Sequence, residues 1–201
     1  MLLFVGLGNP SPNSENNRHN IGFKIIDAEM HIMEPVDLWD NYIDPVYKDN
    51  APRRLNEREW DVRTIVDGEI MTSIKNSSDA PGSTKGEEIN MVTRYREAID
   101  RNFDPHSQKI AMDREGLDLA VLYPTAGLCI TAKNGMDPNL VAASCTAYNS
   151  WLYDYIQAAG SGIMFGAAVI SPFDMDLALR EVRPLYHRTR LQSHYAPPKH
   201  P

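Results

Sequence analysis

The chain reads as an α/β protein in which parallel strands alternate with helices. Three observations predict it. Two continuous apolar runs, LDLAVLYP (117–124) and IMFGAAVI (163–170), have the length of buried strands. Each follows a segment that opens on Asp-Pro and closes on Gly, and precedes one that opens on Asp-Pro or Asp, the start and stop signals of helices. A strand apolar on both sides must be covered by helices on both faces, which is the situation of parallel sheets built from βαβ units. With 201 residues, 42% of them hydrophobic and 23% charged, the chain can bury a core of this kind.

Taken in order, Met1 to Val5 is a short β-type run broken by Gly6, Gly8 and Pro10, and a polar stretch from Ser11 to Asn20 follows. Ile21 to Ile26 is apolar enough for a buried strand or for the first turns of a helix, and period alone does not separate the two. From Glu34 to Arg54, the density of Trp, Tyr, Pro and Asp predicts an irregular excursion with short helices, and Thr72 to Thr84 is loop by composition. Asp104-Pro105 supplies an N-cap and a first-turn proline for a helix that Gly116 ends. The strand Leu117 to Pro124 comes next. Asp137-Pro138 opens a second helix, with Leu140, Val141, Tyr148, Trp151, Leu152, Tyr155 and Ile156 on one stripe and Gly160 at its end. Ile163 to Ile170 is the following strand, and Asp174 caps a third helix through Leu177, Ala178 and Val182. The two late strands should be parallel and joined by a right-handed crossover. Pro184 to Pro201, with four prolines and no clear period, reads as an irregular tail.

No run approaches the roughly 20 apolar residues of a membrane span, and the opening MLLFVGLGNP has no basic leader and runs into a Gly-Asn-Pro turn, so neither a membrane anchor nor a signal peptide is expected. Two cysteines make no disulfide framework, which fits a reducing, cytoplasmic setting. A net charge of −7 argues against a broad nucleic-acid surface. Cys145 falls on the apolar helix stripe and reads as core, while Cys129, close behind a glycine, could be exposed but has no His partner in view. Trp39 and Trp151 read as packing residues and His106 as a solvated position. His187, His194 and His200 fall in the tail at no defensible ligand spacing.

Residues 1 to 28, with GLGNP followed by RHNIGF, resemble the opening of bacterial peptidyl-tRNA hydrolase. The resemblance implies that Asn9 binds substrate and that His19 is the general base that activates water, a role suited to a group titrating near neutrality. The aspartate and glycine-rich segment that come later in that family have no counterpart here, and Ser11 also spoils a GxGxxG reading of Gly6 and Gly8.

A second pattern begins at the end of the same segment. In IIDAEMHIMEP, Glu29 and His31 stand two apart, and two-apart residues on a strand point the same way, so a carboxylate and an imidazole can reach one ion. IDAEMHIMEP…LW, DREGLDLAVLYPTAGL, NSWLYDYIQA and GAAVISPFDMDLALREVR, in that order, look like the amidohydrolase-related family, which includes the aminocarboxymuconate-semialdehyde decarboxylase-like enzymes. The resemblance implies a (β/α)8 barrel, with Glu29 and His31 as strand-one ligands for zinc or manganese at the barrel mouth. It also implies hydrolysis or decarboxylation of a small carboxylic or amide substrate. Only three barrel strands are legible (Lys24 to Glu29, Leu117 to Pro124, Ile163 to Ile170), whereas a barrel has eight in about 250 residues, so the expected fold is a partial TIM-type (β/α)8 barrel.

The expected organisation is therefore a composite: a peptidyl-tRNA hydrolase-like segment (1–28), the N-terminal part of an amidohydrolase-like barrel (25–183) and an irregular tail (184–201). A metal-dependent hydrolase or decarboxylase is the first functional reading, with peptidyl-tRNA hydrolysis or a non-catalytic remnant as alternatives. An open sheet would leave an edge and an apolar face that favour self-association. A small-molecule substrate is the expected partner, with no membrane and with tRNA only under the alternative.

Overall fold

The computed structural model of this chain describes residues 2–7, 21–57, 61–72, 92–160 and 162–192. In order they form β1 (Leu2–Leu7), β2 (Ile21–His31), α1 (Leu38–Tyr42), a 3₁₀ turn (Pro45–Asn50), β3 (Arg53–Arg54), β4 (Arg63–Val66), β5 (Glu69–Thr72), α2 (Arg96–Asp100), α3 (Pro105–Glu115), β6 (Leu119–Tyr123), α4 (Leu128–Ala132), α5 (Pro138–Ala159), β7 (Met164–Gly166) and α6 (Met175–Gln192).

The main sheet has the order β1-β2-β6-β7. The segment left open between strand and helix is strand, and β2 pairs parallel with β6, which pairs parallel with β7. The expected parallel α/β unit is therefore present as three strands. The described residues form an open sheet rather than a closed barrel, and it is not purely parallel: β1 lies antiparallel on β2, Leu2 opposite Asp27 and Leu7 opposite Ile21. An edge strand of either direction satisfies the free N–H and C=O groups of β2, and β1 does so here.

The helix signals hold. Asp104 accepts the Ser107 N–H at 2.8 Å, and Gly116 ends α3 with φ 68°, a left-handed conformation that a side chain would strain. Asp137 accepts the Asn139 N–H at 3.0 Å and Asp174 the Leu177 N–H at 2.9 Å. α5 lays Leu140, Val141, Cys145, Tyr148, Trp151, Leu152 and Tyr155 into the core, where they meet Ala120, Leu122 and Met164 of the sheet. Trp39 and Trp151 are core residues as expected, and His106 is exposed.

Three expectations need correction. Cys129 is buried (3% exposed), because α4 carries it, with Ile130, into the core cluster. The strand expected over 163–170 pairs only through Gly166. Beyond it, the Asn149 amide takes the place of a neighbouring strand, accepting from Val169 N–H at 2.8 Å and donating to Val169 C=O at 2.9 Å. The tail is not irregular from Pro184 onward, since α6 runs through it to Gln192. A single proline removes one i→i−4 bond, and helix formers on both sides carry the helix past it. The excursion after β2 does carry short helices, α1 and the 3₁₀ turn, and at its end begins a three-stranded antiparallel sheet, β3-β4-β5, whose last two strands lie beyond it. Its β4–β5 hairpin turns on Asp67-Gly68 with φ 49° and 75°, the two-residue geometry that an Asp-Gly pair adopts most readily.

Candidate functional site

Because β2, β6 and β7 are parallel, their carboxyl ends lie along one edge of the sheet. His31 closes β2 and stands opposite Tyr123, the last residue of β6. Beyond the pair, Ile32 N–H donates to Tyr123 C=O at 2.9 Å, so the two chains leave the sheet together. The His31 ring sits with Nδ1 2.7 Å from the Pro124 carbonyl oxygen. A carbonyl only accepts, so Nδ1 carries the proton and, in the neutral ring, Nε2 keeps its lone pair free for a metal ion or a proton.

Glu29 lies in a bulge. Between the pairs Asp27–Ala120 and Met30–Leu122, β2 has one residue more than β6, and the Glu29 N–H donates to Asp27 Oδ1 at 3.0 Å. Glu29 and His31 are both exposed, with Met30 between them half-buried against the core. His31 also lines a cavity of about 440 Å³ between the end of β2 and α3. Met30, Met33, Phe103 and Ile110 supply its apolar wall, and Arg94 and Gln108 part of its polar one. Glu29 is not among its lining residues.

Three residues past His31, the chain buries an acid that sequence reasoning missed. Glu34 is 0% exposed. Its Oε1 accepts the N–H groups of Thr125 (3.0 Å) and Gly127 (2.9 Å), and its Oε2 accepts that of Ala126 (2.9 Å). Three consecutive amides of the loop after β6 thus converge on one carboxylate. Gly127 has to be glycine here: a Cβ would come within 2.9 Å of Pro124 Cβ and 3.3 Å of Glu34 Oε1. The buried guanidinium of Arg54, on β3, donates to the backbone carbonyls of Glu34 and Asp61, tying the small sheet to the segment that follows β2. Burial pushes the Glu34 carboxyl above the ordinary carboxylate range, against the pull of the Gly127 and Ala126 amides and the Arg54 charge. Burial, and then the Glu34 charge, push the Tyr148 phenol upward. The available signal was an acid-proline pair, Glu34-Pro35, just beyond the Glu29/His31 motif, which by itself does not distinguish a buried carboxylate from a surface one.

Asn9 and His19, the candidates of the first motif, fall outside the described residues, as do His194, His200 and the side chain of His187. Cys145 is no nucleophile: burial and the nearby Glu181 charge push its thiol up to about 12. Among the described residues, no group of three or more His, Cys, Asp or Glu side chains is placed to hold a metal ion. The pair singled out in the sequence, Glu29 and His31, would supply two donors at most, where a catalytic zinc takes three from the protein. None of the described helices is long and apolar enough to cross a membrane.

Comparison with known proteins gives two matches of different extent, one to the N-terminal segment and one to most of the fold. The family model for peptidyl-tRNA hydrolase matches residues 3–37. The peptidyl-tRNA hydrolase of Pelagibacter ubique is 89% identical over 28 residues, and that of a Sulfurovum species 68% identical over 28. These matches take in 14% of this chain and 15% of each relative. The fold as a whole is similar to that of an amidohydrolase from Mycobacterium avium subsp. paratuberculosis, with a TM-score of 0.58 at 17% identity over 82% of this chain. Against that protein, the chain spans 47% of the length. The chain thus has an amidohydrolase as its structural neighbour and a short peptidyl-tRNA hydrolase-like segment at its N-terminus.

Proposed function

We propose that this chain is part of a metal-dependent hydrolase or decarboxylase of the amidohydrolase type, related to the aminocarboxymuconate-semialdehyde decarboxylase-like enzymes. Its substrate is a small carboxylic or amide compound met in the cytoplasm. Glu29 and His31 are the strand-one donors. The observation that carries the reading is His31 at the carboxyl end of a parallel strand with Nδ1 held by the Pro124 carbonyl. That arrangement leaves Nε2 as the free nitrogen, which is how a metal-binding imidazole is usually oriented. A (β/α)8 template places its chemistry at this end of the strands. Because two donors fall short of a catalytic site, the remaining ligands must come from residues outside those described or from a second chain, and no catalytic step is assigned to this chain alone.

Equilibrium dialysis of the full chain with zinc and with manganese tests the reading. Weak uptake, abolished in His31→Ala and in Glu29→Gln, is expected. Uptake that both variants leave unchanged would remove these residues from the site. Peptidyl-tRNA hydrolysis is the less favoured alternative, because the matches behind it are confined to the N-terminal segment and the Pelagibacter match covers 15% of that relative. Turnover of peptidyl-tRNA that disappears in His19→Ala would promote it.

A further inference from the structure

We propose that Glu34 is a positioning residue for His31, acting through a single peptide group. The group is the one that joins Pro124 to Thr125. Its C=O end receives the His31 Nδ1–H at 2.7 Å, and its N–H end donates to Glu34 Oε1 at 3.0 Å. A trans peptide is planar with its C=O and N–H pointing in opposite directions, so fixing one end fixes the other. No cis peptide bond occurs among the described residues. The proline ring restricts φ at 124, which leaves the rotation of this plane to the groups that grip it. On one side that grip is a carboxylate holding three amides in succession. A carboxylate on the N–H also polarises the carbonyl and makes it a stronger acceptor for the imidazole.

The consequence is a preference in His31. With the Pro124 carbonyl fixed, the neutral ring carries its proton on Nδ1 and leaves Nε2 bare. If the plane turns, that preference is lost. The inference rests on the functional reading only in making Nε2 the working nitrogen; the tautomer itself is a property of the chain without any ion.

Side-chain ¹⁵N NMR of metal-free protein, recorded on the neutral ring, measures it directly. In the parent the Nδ1–H form of His31 should dominate. In Glu34→Gln, one carboxylate oxygen becomes an NH₂ facing backbone donors, and the Nδ1–H form should fall to a minority. Gly127→Ala strains the same loop from its other end, against Pro124 Cβ and Glu34 Oε1, and should shift the ring the same way if Glu34→Gln fails to fold. Glu181→Gln perturbs a different carboxylate, the one that accepts from Asn149 at 2.8 Å, and should leave His31 unchanged. A parent ring protonated on Nε2, or a ring indifferent to both loop variants, overturns the proposal. So does a Glu181→Gln effect as large as theirs. A responding tautomer in a chain whose zinc uptake is unchanged by His31→Ala and Glu29→Gln keeps this proposal and defeats the metal reading; zinc uptake abolished by both variants with an indifferent tautomer does the reverse.

Discussion

Removing the Tyr148 hydroxyl should stabilise this protein. Tyr148 is 0% exposed, on the core face of α5, and its hydroxyl has no hydrogen-bond partner among the described residues. A buried unpaired hydroxyl costs about 1–3 kcal/mol relative to solution. Tyr148→Phe removes that cost and keeps the ring, whose centroid lies 5.7 Å from that of Trp151, so the aromatic packing survives. Against the gain stands the small space vacated by one oxygen, whose lost contacts come to a few tenths of a kcal/mol at about 0.1–0.2 per atom pair. The net expectation is a gain of about 1 kcal/mol or more. For a chain of this size, each kcal/mol moves Tm by roughly 2–4 °C. Urea titration and thermal melting, each followed by far-UV circular dichroism, should show a higher midpoint at unchanged slope. A loss of 1 kcal/mol or more would refute the reasoning, because it would mean that the hydroxyl is bonded, with the Glu34 carboxylate as the acceptor nearest in charge.

Three further outcomes follow from the same geometry. Asp104→Ala removes the α3 N-cap and the partner of Arg101 (2.6 Å), and should cost about 1 kcal/mol in chemical denaturation. The hydrogen bonds from Arg101 hold the Asp104 carboxyl below its usual 3.8, so this contribution is present above that value and lost as pH falls through the lower folded value; the variant should show a shallower loss of stability in that acid range. Gly166→Ala should destabilise by about 1–3 kcal/mol, since its Cβ would fall 2.5 Å from Leu152 Cδ2, and a variant melting with the parent would contradict the close approach of β7 to α5. Cys129 and Cys145 should both resist a thiol-specific reagent in the folded chain and react together on unfolding, and fast labelling of either in the native state would deny their burial.

The helices from Asp104 to Asp174 were legible because their signals are local. An Asp whose side chain caps the next turn, a first-turn proline and a terminal glycine act within a few residues whatever lies around them. The two apolar runs announced parallel strands for the same reason, and the signal of the Asp67-Gly68 hairpin is equally local. Glu29 and His31 could be singled out as a pair because spacing along a strand is also local. The rest was decided by distance in space rather than in sequence. That β1 would cap β2 antiparallel, that Asn149 would stand in for a strand beside Val169, and that Cys129 would be covered all depend on which segments meet. Glu34 makes the point most sharply. An acid beside a proline reads as surface, because burying a charge is costly unless partners are supplied. Those partners, the amides of Thr125, Ala126 and Gly127, lie more than ninety residues away and reach Glu34 only once β2 and β6 lie side by side. Sequence determined which residues could carry chemistry and which segments could be strand or helix. The tertiary structure alone decided how His31 is held, since the peptide that holds it belongs to the neighbouring strand's exit loop.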